Sequence, residues 1–165
     1  MQDPITVLTT GGTIDKVYFD ANSALEVGGS VVAEILKQAH VATLINIIEL
    51  MRKDSLELDD DDRQHVLASV EAADAERIVI THGTDTMTDT AGMLSSVEDK
   101  VVVLTGSFAP ARFAMTDAIF NIGLAFGAVQ SLDYGVYIAM NGQIFMAHQV
   151  LKNRETQRFE LRETL

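Results

Sequence analysis

Two short runs of β-branched residues, Ile78-Val79-Ile80 and Val101-Val102-Val103, constrain the fold of this chain more than any other feature. Each run is apolar at every position, so both faces of the strand that it forms have to be buried. Strands buried on both faces are typical of parallel sheets that helices cover on each side. The chain is therefore expected to adopt a layered α/β fold.

Strand and helix patterns alternate along the chain. Strands are predicted at residues 5–8, 43–48, 77–80, 101–104 and 136–139, and helices at residues 31–39, 60–72, 88–96 and 116–130. This alternation favours a three-layer α/β/α architecture with a mainly parallel sheet. Near the C-terminus, Asn141-Gly142 separates two apolar runs and predicts an antiparallel hairpin. With no linker or repeat, residues 1–165 are expected to form a single domain.

Residues 11–30 lie between the first predicted strand and the first predicted helix and show neither pattern. A loop of that length inside a compact domain is usually functional or mobile. The run Asp59-Asp60-Asp61-Asp62 precedes apolar residues at helical spacing. We interpret it as a helix N-terminus, where carboxylates meet free N–H groups, rather than as a calcium site.

Composition excludes several classes of function. The formal net charge is -12, which disfavours binding to nucleic acid. The longest apolar stretches are far shorter than a membrane span, so no membrane partner is expected. The chain has no cysteine, and Met1-Gln2-Asp3-Pro4 lacks the basic start of a secretory signal. These features favour a cytoplasmic protein and exclude thiol nucleophiles and thiolate metal sites.

Small polar residues are concentrated where three predicted strands end. These clusters are Thr9-Thr10-Gly11-Gly12-Thr13, Thr81-His82-Gly83-Thr84-Asp85-Thr86 and Thr105-Gly106-Ser107. Open α/β sheets bind ligands beyond the carboxyl ends of their strands, so neighbouring strands would direct these clusters into one cleft. Turn formation or helix capping, for example by Thr84 or Thr86, is an alternative explanation. The glycine spacing fits neither known phosphate-binding motif.

A threonine hydroxyl becomes a good nucleophile only when a base removes its proton. His82 adjoins the second cluster, but its position beside Gly83 favours a role in shaping the loop. Lys152, just beyond the predicted hairpin, is another candidate base, since burial or a neighbouring cation can make a lysine basic at neutral pH. The alternative is an ordinary solvated lysine.

The first two clusters, extended to Ile14 and Met87, resemble the two signature motifs of bacterial L-asparaginases. The resemblance continues through residues 100–106, 117–121 and the hairpin to Lys152. It covers nearly the whole chain but only the N-terminal catalytic domain of that family, and the smaller C-terminal domain is absent from this sequence.

The resemblance implies a role for each matching residue. Thr13 corresponds to the threonine usually named as the nucleophile, and Thr84, Asp85 and Lys152 correspond to the second catalytic triad. The counterpart of Asp85 also binds the α-amino group of the substrate. Backbone N–H groups near Gly12 and Thr84 are expected to stabilise an oxyanion, and Gly12 and Gly83 are expected to contact the substrate.

Three positions depart from the family pattern. The loop tyrosine of the family is replaced by Leu25, and Tyr18 in the same loop is a candidate substitute. The pair that holds the substrate α-carboxylate aligns with Arg52 and Lys53, which can still bind a carboxylate. An acidic residue from the C-terminal domain of a partner subunit has no counterpart. The triad of Thr84, Asp85 and Lys152 is complete, and which threonine attacks first stays open.

The function predicted from these features is hydrolysis of a small carboxamide, such as L-asparagine, through an acyl-threonine ester. No cofactor and no metal are expected, because a protein nucleophile and electrostatics suffice. The alternatives are a non-catalytic amino-acid-binding module and a hydrolase of another amide, a lactam or an ester. A homo-oligomer, a dimer or larger, is also expected, with the apolar helical segment 117–128 as a candidate interface.

Overall fold

The computed structural model of the protein describes residues 3–21 and 23–163. The ten strands of this part of the chain are β1 (Ile5–Gly11), β2 (Lys16–Phe19), β3 (Ala24–Val27), β4 (Ile45–Lys53), β5 (Arg77–Thr81), β6 (Val101–Thr105), β7 (Gly135–Met140), β8 (Gln143–Met146), β9 (Val150–Asn153) and β10 (Arg158–Leu161). The α-helices are α1 (Val32–Gln38), α2 (Asp60–Ala72), α3 (Met87–Met93) and α4 (Ala118–Ser131).

Six strands form one sheet in the order β4-β1-β5-β6-β7-β8. All neighbouring pairs are parallel except β7 and β8, which form the antiparallel hairpin predicted from Asn141-Gly142. The chain order reverses on either side of β1, because β4 lies on one side and β5 on the other. Such a switch point opens a crevice at the carboxyl ends of the strands.

Helices cover both faces of the sheet, so the predicted three-layer α/β/α architecture is confirmed. On one face, α1 and α4 pack on alternate strand residues such as Val7, Val79 and Val103. On the other face, α2 and α3 pack on the intervening residues, such as Leu8 and Ile80. Both residue sets are buried, which explains why the central strands are apolar at every position.

The predicted helices and strands are confirmed, with bounds that differ by a few residues. β4 differs most, because it extends to Lys53 and so places Arg52 and Lys53 on a strand. Residues 11–30 are not wholly irregular as predicted: a 3-10 turn (Thr13–Asp15) leads into an antiparallel hairpin of β2 and β3. A second hairpin, β9 with β10, was not predicted either. These strands have only four residues each, too few for a clear periodic pattern.

The four consecutive aspartates start α2, as predicted. Asp59 is the N-cap, its carboxylate accepts the Asp62 N–H, and the Asp62 carboxylate accepts the Asp59 N–H in return. This reciprocal arrangement satisfies backbone donors that a helix start leaves free. Residues 3–21 and 23–163 contain no group of three or more His, Asp or Glu side chains placed to hold a metal ion. Within the same residues, no helix is long and apolar enough to span a membrane.

Candidate active site

Two glycines meet at the switch point, between the ends of β1 and β5. Gly12 has a φ of +88°, a conformation that favours glycine, and a Cβ added to it would lie 2.4 Å from the amide nitrogen of Gly83. Gly83 is equally restricted, because a Cβ there would lie 2.6 Å from Cβ of Ser55. The two backbones approach closely because Gly12 has no side chain, and the absence of one on Gly83 leaves room for Ser55. This contact brings together the chain segments that continue into Thr13 and Thr84.

Lys152 connects the two other members of the predicted triad. Its Nζ lies 2.8 Å from Oγ1 of Thr84 and 2.8 Å from Oδ1 of Asp85. The side chain of Lys152 is only 10% exposed, and that of Asp85 is 33% exposed. Lys152 is therefore not an ordinary solvated lysine. A hydroxyl, an amine and a carboxylate lie within hydrogen-bonding distance, which is the arrangement of a nucleophile, a base and an orienting group.

The β9–β10 hairpin carries Lys152 into the cleft. Lys152 pairs with Phe159 across the hairpin, and Phe159 is buried against the core on the α2 and α3 face. Arg154, on the turn that follows β9, places a guanidinium nitrogen 3.8 Å from Oδ1 of Asp85. The Asp85 carboxylate therefore faces two basic side chains, of which Lys152 is largely buried and Arg154 is exposed.

Capping does not explain the threonines of the second cluster. Thr86 occupies the N-cap of α3, but its hydroxyl donates to the carbonyl oxygen of Ser55, 2.8 Å away, and makes no capping bond. His82 has the loop-shaping position that was predicted for it. Its ring is buried, with Nδ1 2.7 Å from the carbonyl oxygen of Gly83 and Nε2 2.7 Å from Oγ1 of Thr90. Burial lowers the pKa of His82 to about 4, so the ring is neutral at pH 7.

The backbone amides expected to stabilise an oxyanion differ in whether they already have a hydrogen-bond acceptor. The Gly12 N–H donates to the carbonyl oxygen of Lys53 at 2.9 Å. The Thr84 N–H has no acceptor among residues 3–21 and 23–163. Over the same residues, no side chain hydrogen-bonds the hydroxyl of Thr13, which is half-buried in its 3-10 turn. The Gly12 amide is therefore already engaged, whereas the Thr84 amide has no acceptor in this part of the chain.

Arg52 and Lys53 project to different places. The Lys53 ammonium lies 2.8 and 2.7 Å from the two carboxylate oxygens of Asp62 on α2, and this bond raises the pKa of Lys53. Arg52 lies on the other side of the strand, where its Nε is 2.8 Å from Oε1 of Glu49. Arg52 lines a cavity of about 460 Å³ whose walls are β2, β3 and the segment after β4.

The β2–β3 hairpin forms one wall of this cavity. Lys16 on β2 forms an ion pair with Asp54, with Nζ 2.9 Å from Oδ2. Burial opposes ionisation of Asp54, but the bond from Lys16, that from the Leu56 amide and the charge of Lys152 lower its pKa. Tyr18 pairs with Leu25 across the hairpin. Side chains two residues apart on a strand share a face, so Tyr18 lies on the same side as Lys16.

Arg112 fastens the base of the β2–β3 hairpin. Its guanidinium donates to the carbonyl oxygens of Asp15 and Gly29, at 3.1 and 3.0 Å. Asp15 is 1% exposed, and its carboxylate accepts the N–H of Val31 at 3.0 Å. Burial raises the pKa of Asp15 to about 6, although the bond from Val31 and the charge of Arg112 act against the rise. The loop before α4 and the start of α1 thus hold both ends of the hairpin.

Sequence reasoning missed several residues of the site, of which Ser55 is the most central. Ser55 is 1% exposed and packs against Gly83, beside the triad. It begins a 3-10 turn whose start is capped reciprocally by Asp54 and Glu57. The spacing of those two acidic residues is that of a capping box, and it could have placed a sharp turn directly after β4. Asp15 and Arg112 carry no comparable signal, because their contacts join distant parts of the chain.

The fold and the site define an α/β/α protein with a threonine, a lysine and an aspartate joined at the carboxyl edge of a parallel sheet. Residues 4–162 match the family model described as "Asparaginase, N-terminal", and the chain belongs to this family. The L-asparaginase resemblance seen in the two signature motifs is thereby confirmed.

Individual relatives agree with this assignment. The chain is 33% identical to a glutaminase-asparaginase of Acinetobacter glutaminasificans over 90% of its own length and 49% of that protein. It is 29% identical to a probable periplasmic L-asparaginase of Haemophilus influenzae, over 92% and 47% of the two chains. The structure of a probable cytoplasmic L-asparaginase from Campylobacter jejuni superposes with a TM-score of 0.76 at 31% identity, over 92% and 50%. The chain spans about half the length of these relatives.

Proposed function

We propose that this chain carries a site that hydrolyses a small carboxamide, such as L-asparagine, to the acid and ammonia. The observation that supports this most strongly is the position of the Lys152 amine, 2.8 Å from both the Thr84 hydroxyl and the Asp85 carboxylate. The names of the relatives, which include an L-asparaginase and a glutaminase-asparaginase, point to the same chemistry.

In the proposed reaction, neutral Lys152 takes the proton from Oγ1 of Thr84 as that oxygen attacks the amide carbon. The carbonyl oxygen becomes an oxyanion, which the free Thr84 N–H is available to stabilise. When the C–N bond breaks, Lys152 returns the proton to the leaving nitrogen, which departs as ammonia. Water then cleaves the threonine ester, with Lys152 again accepting a proton. Asp85 orients the amine throughout, and the chemistry requires no cofactor.

Thr13 is the alternative first nucleophile. It lies at the same glycine contact as Thr84, but no side chain of residues 3–21 and 23–163 bonds its hydroxyl. We propose that Tyr18 assists it in place of the residue that Leu25 replaces. Side chains directly opposite each other in an antiparallel pair lie about 5 Å apart on one face. Tyr18 therefore reaches the region that a tyrosine at the position of Leu25 would reach.

We propose that Arg52 binds the substrate carboxylate. Its guanidinium borders the cavity next to Leu25 and Asp54, whereas Lys53 is engaged by Asp62. We expect Arg52→Ala to raise KM about tenfold or more, because a charge-assisted bond contributes about 1.5–3 kcal/mol. Lys53→Ala is the matched comparison and tests whether Lys53 releases Asp62 to bind substrate. Steady-state kinetics measures both, and an unchanged KM in both variants would remove this carboxylate site.

We also propose that the chain assembles as a homo-oligomer through the α4 patch, which consists of Phe113, Met115, Ile119 and Phe120. These four large apolar side chains are exposed, and they adjoin the loop that carries Phe108 to Lys152. The outer face of α4 is therefore not buried within the monomer. A partner is not required to exclude water from Lys152, because the single chain already buries it.

Light scattering during size-exclusion chromatography tests this assembly. We expect a dimer or larger species, and we expect Phe120→Lys to shift it towards the monomer because the charge opposes burial of the patch. Val41→Lys, at an exposed apolar position outside the patch, is the matched control. A wild-type protein that is strictly monomeric and fully active at nanomolar concentration would contradict the proposal.

Ammonia release from L-asparagine tests the proposed function directly. Glutamine, a small lactam and a small ester serve as comparison substrates, and calorimetric titration with aspartate detects binding without turnover. Ammonia release from an amide supports the proposal. Binding of aspartate with no turnover of any substrate would favour an amino-acid-binding module, and turnover of only the lactam or ester would identify a different hydrolase.

A further inference from the structure

Lys152 has a third neighbour besides Thr84 and Asp85. Nζ lies 5.4 Å from the centroid of the Phe108 ring, within the range of a cation–π contact. Phe108 is half-buried in the loop that follows β6, and it packs against the core on the α2 and α3 face. The amine is therefore bounded by two polar partners and one aromatic ring.

The position of the ring is fixed from two directions. Behind it, Phe159 lies with its ring centroid 6.2 Å away, and Phe159 is also the residue opposite Lys152 in the β9–β10 hairpin. In the backbone, the N–H groups of Phe108 and Ala109 donate to the carboxylate of Asp117, at 3.0–3.1 Å. The ring is thus held between the loop that Asp117 anchors and the hairpin that presents Lys152.

We propose that Phe108 is a positioning residue whose ring keeps water away from the Lys152 amine. This inference rests on the proposed function for its catalytic consequence. To act as a base, the neutral amine directs its lone pair at the Thr84 hydroxyl and donates an N–H to Asp85. A water molecule in place of the ring would accept that second N–H and, when the amine rotates, donate a hydrogen bond to the lone pair and compete with Thr84. An aromatic ring has no such donor, and it tolerates a second N–H directed at its face.

Amine acylation tests the cover without requiring turnover. The protein is treated briefly with acetic anhydride, and the labelled fraction of Lys152 is measured by peptide mass spectrometry relative to Lys37, an exposed lysine on α1. We expect Phe108→Ala to increase the relative labelling of Lys152 about fivefold or more, equivalent to about 1 kcal/mol of protection, because the reagent can then reach the amine from the side of the lost ring. Phe108→Leu keeps an apolar cover, so its labelling should stay close to that of the wild type.

Kinetics of amide hydrolysis with the same variants tests the positioning role. We expect Phe108→Ala to lower kcat about tenfold with KM unchanged, which is part of the roughly 10²- to 10⁴-fold contribution of a general base. In Phe108→Leu, kcat should recover. Circular dichroism checks the fold, and Phe108→Val, with a partial cover, replaces the alanine variant if that variant does not fold.

Each outcome decides one step of this inference. Equal labelling of Lys152 in Phe108→Ala and in the wild type would contradict the proposal that the Phe108 ring shields the amine. Increased labelling with unchanged kcat would overturn the role in positioning the base. If the wild type hydrolyses no amide, the proposed function fails, and the labelling alone then decides whether Phe108 shields Lys152.

Discussion

Replacing Lys152 with methionine should lower kcat for amide hydrolysis by about 10²- to 10⁴-fold, the usual contribution of a general base. The methionine side chain has a similar length and fits the same apolar surroundings, but it can neither accept the proton of Thr84 nor bond Asp85. Thr84→Ala should remove as much activity, because it deletes the proposed nucleophile. Steady-state kinetics with L-asparagine measures both variants.

The double variant separates a shared mechanism from two independent defects. Members of one catalytic unit are non-additive, so the double variant should be about as inactive as either single variant. Lys37→Met, at an exposed position on α1, is the matched control for the loss of a lysine. Near-native turnover in Lys152→Met would rule out the lysine as the base, and additive losses would mean that Thr84 and Lys152 act separately.

The buried carboxyl of Asp15 should make the free energy of unfolding depend on pH. The pKa of Asp15 is about 6 in the folded protein and 3.8 ordinarily, so the folded state binds this proton more tightly than the unfolded state. The stability that this group contributes is complete below pH 3.8 and is lost as the pH rises to about 6. The difference corresponds to about 3 kcal/mol, at 1.36 kcal/mol per pKa unit. Asp15→Asn should therefore be more stable than the wild type at pH 7.5, by up to about that amount.

Urea unfolding of both proteins from pH 4 to pH 7.5 measures this difference. An asparagine oxygen can still accept the N–H of Val31, so the variant differs from the wild type mainly in charge. The advantage of Asp15→Asn should disappear near pH 4. His82 acts in the opposite direction, because its lowered pKa removes stability as the pH falls below 6.5, but it is present in both proteins and cancels. A stability difference that is independent of pH would show that Asp15 does not titrate in this range.

The layered fold was predictable because it depends on short-range patterns. Strands such as β5 and β6 are apolar on both faces, and α2 begins with four aspartates, so each element could be recognised by itself. The short strands of the two hairpins were not predictable. β2 and β9 have four residues each and lie outside the main sheet, where burial imposes no periodic pattern.

The site was predictable only in part, for a similar reason. The motifs identified Thr84, Asp85 and Lys152 as the complete triad, and the structure brings these three together. Ser55 and Phe108 were not predicted, because their contacts with the site join residues that are distant in the chain. Arg52 and Lys53 are adjacent in sequence, yet the alternation of a strand directs them to different partners.

The backbone contact between Gly12 and Gly83, with Ser55 packed beside it, is expected to form late in folding. The three residues follow β1, β5 and β4, strands that are far apart in the chain and that align only when the centre of the sheet is complete. Non-local pairings of this kind form slowly, whereas helices such as α2 and α4 form from local contacts. During refolding, the helical circular dichroism signal should thus return first, and the ability to turn over substrate should return with the slowest strand pairing.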